Sequence, residues 1–113
     1  MAIAPDVYDM TIQRRSDHSV SFEFKDSNNS AVNLQGYTII SQIWDASRST
    51  KAADATCTIT DAPTGAWTWK VTDTQTATFS AEEYKYDVLV TEPGGDKQFW
   101  VEGTIYMSEG YSS

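Results

Sequence analysis

Apolar and polar side chains alternate at every second position through almost the whole chain. That period belongs to strands with one face buried and one face wet. Tyr8, Met10 and Ile12 alternate against Asp9 and Thr11, and Val20, Phe22 and Phe24 against Ser21, Glu23 and Lys25. Cys57 and Ile59 alternate with Thr56, Thr58 and Thr60, and Trp67, Trp69 and Val71 fall on one side of their segment. Between such segments lie turn-forming runs: Arg14-Arg15-Ser16-Asp17, Asp26-Ser27-Asn28-Asn29-Ser30, Asp61-Ala62-Pro63-Thr64-Gly65 and Glu92-Pro93-Gly94-Gly95-Asp96. Their residues preset φ, tolerate positive φ or bond their own backbone. About seven strands at this spacing predict an all-β fold, an immunoglobulin-like antiparallel β-sandwich.

Two segments refine the expectation. From Tyr37 to about Asp45 both faces carry large groups, with Tyr37, Ile39 and Ile43 on one and Ile40 and Trp44 on the other. Such a strand is central, or covered by a partner on its second face. The return strand of the last hairpin, Lys97 to Met107, places Phe99, Val101, Gly103, Ile105 and Met107 on one face and Trp100, Thr104 and Tyr106 on the other. The polar run Ala46 to Asp54 reads as a loop or ragged edge. Ser80-Ala81-Glu82-Glu83 carries the capping pattern of a single helical turn. The chain of 113 residues and 12.6 kDa holds one core, so 1–113 reads as one domain with a loose tail from 107 to 113.

Charge and composition exclude several function classes. A formal net charge of -8 and a pI near 4.3 disfavour nucleic acid, which is bound by Lys and Arg displacing counterions. No apolar stretch reaches bilayer length, and the N-terminus lacks a basic region followed by an apolar run, so neither membrane nor secretion is expected. Cys57 shares the inward side of its strand with Ala55 and Ile59 and reads as a small core residue. The single histidine, His18, reads as an exposed loop residue without zinc-ligand companions. Ser16, Asp17 and His18 adjoin in sequence, whereas a catalytic triad needs convergence in space. Glu82-Glu83 and Asp96 match no calcium loop, and Gly94-Gly95 sits in a hairpin where it cradles no phosphate. No catalytic, metal-binding or cofactor-binding residue is predicted, and the chain reads as a non-enzyme.

Aromatic residues remain. Trp67 and Trp69 belong to the core by their shared face. Trp44 and Trp100 each lie opposite the main apolar row of their strand, and exposed tryptophan is enriched in interface hot spots. Trp44, Trp100 and Tyr106 are therefore the candidate protein-interface anchors, with open strand edges available for strand addition. An aromatic platform for sugar rings, as in carbohydrate-binding modules that serve host recognition, is the alternative.

Thr11-Ile12-Gln13-Arg14-Arg15, Val20-Ser21-Phe22-Glu23-Phe24 and Val32-Asn33-Leu34-Gln35-Gly36-Tyr37-Thr38-Ile39 resemble the opening of small tailed-bacteriophage virion proteins related to the N-terminal domain of the baseplate upper protein. Ile59-Thr60-Asp61 with Gly65, Tyr84-Lys85-Tyr86-Asp87-Val88, Glu92-Pro93-Gly94-Gly95 and Val101-Glu102-Gly103-Thr104-Ile105 resemble its closing hairpin, in the same order. Arg15-Ser16-Asp17-His18 departs from the common Arg-Gly-Asp-Thr turn. The resemblance implies a structural part of the virion, assembled in the host cytoplasm: an adaptor or assembly protein of the tail, baseplate or fibre, or alternatively a capsid decoration. The implied partners are other virion proteins, with several copies or a homo-oligomer on the particle, and no cofactor.

Overall fold

The alternation converts directly into strands. The computed structural model describes residues 6–26 and 28–108. The strands are β1 (Asp6–Val7), β2 (Met10–Gln13), β3 (His18–Glu23), β4 (Thr38–Asp45), β5 (Lys51–Asp61), β6 (Ala66–Val71), β7 (Glu83–Thr91) and β8 (Lys97–Ser108). Met107 and Ser108 belong to β8, which corrects the expected tail at its start; residues 109–113 lie outside the described residues.

Two layers form a sandwich with β5 shared between them. Its first part pairs with β4, with Ser41 opposite Ala55 and Ile43 opposite Ala53, and its second part pairs with β6, with Cys57 opposite Trp69 and Thr58 opposite Thr68. One layer runs β1/β2-β8-β7-β4-β5 and the other β5-β6-β3. This is the immunoglobulin arrangement, in which β3, β6 and the end of β5 occupy the places of strands B, E and D, and β4, β7 and β8 those of C, F and G. Tyr84, at the start of β7, accepts a hydrogen bond at its hydroxyl from Ala81 N at 2.9 Å, the tyrosine corner of such sandwiches.

Three details depart from the expectation. β1 and β2 run parallel to β8, so the sandwich is antiparallel except along this edge. They are two pieces because the chain kinks at Tyr8–Asp9, where Tyr8 O accepts from the Tyr86 hydroxyl and Asp9 Oδ1 accepts from Thr104 N at 2.8 Å. A Cβ on Gly103 would lie 2.0 Å from Tyr8 O, so only glycine permits this approach. The helical turn sits not at Ser80–Glu83 but at α1 (Asp73–Ala77). The same capping pattern occurs there: Gln75 N donates to Thr72 Oγ1 and Thr72 N donates to Gln75 Oε1. At Ser80 it cannot act, because Glu83 already belongs to β7.

Inward rows of both layers make the core. Trp67, Trp69 and Val71 of β6 lie against Ile12, Ile43, Tyr86, Val88 and Ile105 of the facing layer, all buried. Trp69 Nε1 donates to Ser41 Oγ at 2.9 Å, and Ser41 Oγ donates to Asp87 O at 2.6 Å, so the buried indole N–H has an acceptor. Cys57 is half-buried on the inward side as expected, and burial pushes its thiol up to about 12, which keeps it protonated and unreactive. His18 is not in a loop. It opens β3 half-buried, edge-on to Trp69 at 6.3 Å, and burial lowers its pKa.

Candidate functional site

The outward rows of β4, β7 and β8 carry the feature that the inward rows do not explain. Register aligns Ile40 with Leu89 and Leu89 with Phe99, then Gln42 with Asp87 and Asp87 with Glu102, then Trp44 with Lys85 and Lys85 with Thr104. Ile40 is 47% exposed and Phe99 48%, with half-buried Leu89 between them. Tyr106, 47% exposed, lies farther along β8 opposite Glu83, and Val7 projects from β1 beside Glu102. Of the large apolar side chains exposed among the described residues, only Tyr8 lies off this face, its ring against Phe22.

A depression of about 330 Å³ opens between these rows, lined by Ile40, Gln42, Trp44, Arg48, Lys85, Tyr86, Asp87, Leu89 and Phe99. Its charged groups are held in place locally. Lys85 Nζ donates to Thr104 Oγ1 at 2.7 Å and stands 3.8 Å from Glu83 Oε2. Burial raises the Asp87 carboxyl above its ordinary range, opposed by the Arg48 guanidinium and reinforced by Glu102. Arg48 reaches this place from the β4–β5 turn with φ 60, and the Asp45 carboxylate organises that turn by accepting from Ser49 N and Oγ and from Ser47 Oγ. The Ser49 hydroxyl above all holds Asp45 below the usual carboxylate range.

The three sequence-predicted anchors separate. Trp44 lies on this face, half-buried, with Nε1 donating to Gln42 Oε1 at 3.2 Å. Tyr106 shares the face across β7. Trp100 does not: it is 3% exposed, with its ring 4.8 Å from Phe24 and 6.1 Å from Tyr37 inside the sandwich. The cause is a β-bulge. Val88 pairs with Val101 but Leu89 with Phe99, so Trp100 is an extra residue on β8, and the alternation reverses across it. The bulge turns Phe99 outward and Trp100 inward, the opposite of the assignment by period two. Phe99, Ile40 and Leu89 thus form the apolar heart of the face; Ile40 was legible opposite the main row of β4, whereas nothing in the sequence marks the bulge except two adjacent large residues, Trp100 and Val101.

The residues lining the depression include no serine, cysteine or histidine, and among the described residues no group of three or more His, Cys, Asp or Glu side chains is placed to hold a metal ion. What the face offers is contact area with a mixed polar floor. The model of one protein family, described as LtfC-like, beta-sandwich domain, matches residues 4–108. No curated protein matches the chain.

Proposed function

The chain belongs to the LtfC-like β-sandwich family, which is related to phage tail fibres, and we propose that it is an adaptor or assembly protein of a phage tail that docks another virion protein on the outer face of β4, β7 and β8. The observation that carries this reading is the gathering of Ile40, Leu89, Phe99, Trp44 and Tyr106 on one sheet face. Contiguous exposed apolar surface rimmed by polar groups marks interaction sites on soluble domains. Ile40 and Phe99 are the central anchors; Lys85, Asp87 and Arg48 supply the polar register that selects the partner. A place at the fibre rests on the family, while the likeness to the baseplate upper protein rests on sequence motifs alone.

The test is incorporation. Phe99→Asp and Ile40→Asp are expected to fold and to be missing from assembled particles, while wild-type protein is incorporated at the tail. Normal incorporation of both variants would overturn the docking face, and a copy number matching the capsid lattice would replace the tail by a decoration role. Binding of free glycans at the depression, read by indole fluorescence, would replace the protein partner by a sugar.

A further inference from the structure

A sandwich of this kind has edges, and they are not equivalent. The β1/β2 edge is broken at Tyr8–Asp9. β5 leaves one layer for the other midway, carries Lys51 and sits beside irregularities in register at Ile43/Trp44 and Ile59/Asp61. Kinks, lysines and bulges are the devices that blunt an edge against pairing. β3 has none of them. Its register with β6 runs without a shift from His18↔Val71 to Glu23↔Ala66, it contains neither Pro nor Lys, and among the described residues it pairs with no strand but β6.

Hydrogen-bond direction shows what this edge presents. Phe24 N donates to Gly65 O at 2.9 Å, so Phe22, Val20 and His18 direct their backbone groups at β6 by the antiparallel alternation. Ser19, Ser21 and Glu23 then turn their N–H and C=O groups outward. Only an extended chain meets donors and acceptors at that spacing. The inward side chains of β3 are also incompletely covered: His18, Val20 and Phe22 are half-buried, where Trp67, Trp69 and Val71 of neighbouring β6 are fully buried. Among the described residues no strand covers β3 on this side.

The geometry points to a second copy of this chain as the occupant: two β3 strands pair antiparallel about a twofold axis through Ser21 and join the two β5-β6-β3 layers into one continuous sheet. The register follows from the sequence. Antiparallel neighbours share a face and the outward-directed backbone groups must meet each other, so the axis passes through Ser19, Ser21 or Glu23. An axis at Glu23 sets two carboxylates against each other, and one at Ser19 runs the pairing into the Arg14–Asp17 turn. At Ser21, Ser19 meets the partner copy's Glu23 and Val20 meets Phe22 on the inner side, and only the last residue of that turn is reached: Asp17, whose Oδ1 accepts from Asp73 N at 2.8 Å, comes opposite Lys25 twice over. A β-branched residue opposite an aromatic one, and opposite charges face to face, are favourable cross-strand pairs. This pairing uses the layer remote from the β4-β7-β8 face and stands without the docking proposed there.

Sedimentation equilibrium of the full chain over a range of concentrations, at about 0.15 M salt to screen its net negative charge, tests the inference. Wild type is expected to show a monomer–dimer equilibrium. Ser21→Pro, at a position whose N–H points away from β6 and meets no acceptor among the described residues, is expected to keep the strand-dominated circular dichroism and to be monomeric throughout. Lys25→Asp is expected to weaken the dimer about tenfold or more by placing like charges opposite each other, and adding Asp17→Lys to restore it. A wild type that stays monomeric, a dimer indifferent to both Ser21→Pro and Lys25→Asp, or a dimer lost instead in Phe99→Asp would each overturn β3 pairing, the last by assigning self-association to the other face.

Discussion

The two outer surfaces of the sandwich are built by the same alternation and have opposite characters. Outside β3, β6 and the end of β5, the rows read Ser19-Lys70-Thr56 and Ser21-Thr68-Thr58, a carpet of short hydroxyls. Outside β4, β7 and β8, they read Ile40-Leu89-Phe99 and Trp44-Lys85-Thr104 around a depression. Threonine and serine satisfy strand propensity while leaving the surface hydrated, so the first layer forms without becoming sticky. The second retains large apolar groups that folding alone does not require, since the core behind it is already closed by Ile43, Tyr86 and Val88. The difference is what the proposed docking on one wall rests on; the other wall is built to stay hydrated.

That contrast can be broken most forcefully at the bulge. Trp100→Ala is expected to lower stability by about 3–5 kcal/mol, as for other buried aromatic truncations, read as a large fall in Tm. A loss under about 1 kcal/mol would put the indole on the surface and undo the exchange with Phe99. Phe99→Asp should shift stability by less than about 1 kcal/mol, in line with surface positions, yet abolish incorporation into particles.

A smaller effect lies beneath the hydroxyl wall. Burial lowers the His18 pKa in the folded chain, so below the unfolded value of 6.5 the unfolded state binds the proton first. The His18 contribution to stability is fully present above that pH and is lost as pH falls through it toward the folded pKa. Chemical denaturation between pH 7.5 and 5 should show this slope, and His18→Gln should remove its share. Smallest of all, Thr58→Lys on the hydroxyl wall is expected to change stability by no more than about 0.5 kcal/mol and to leave particle incorporation intact. Impaired incorporation would mean that both walls bind.

Period two carries most of the architecture: the core row of β6, the inward Cys57 and the two-faced β4 follow from the sequence because β4 and β6 carry no inserted residue and Cys57 lies between the two irregularities of β5. Trp44 falls on the outer face for the same reason, and Tyr106 because it lies in the part of β8 beyond the bulge, where the alternation is unbroken from Val101 onward. Period two fails where one residue is inserted, because a bulge inverts every assignment on one side of it, and Phe99 and Trp100 exchange roles. The parallel edge at β8 was not legible either. It depends on Gly103 admitting Tyr8 O, a contact between positions distant in the chain. His18 reads as a loop residue because Asp17 and Ser16 are turn formers, although the strand starts at the histidine itself. Thr72 and Ser80 show that a capping pattern is not sufficient, since both begin one and only the first is free of a following strand.

The parallel run of β2 along β8 also sets how the domain bears tension. Met10 to Gln13 lies alongside Ile105 to Ser108 in the same direction, so a pull on the leading end of β2 and the trailing end of β8 slides the strands past each other. Their hydrogen bonds are then loaded together in shear, not peeled one at a time. Force spectroscopy should find a higher rupture force along this axis than between the two ends of the β7–β8 hairpin.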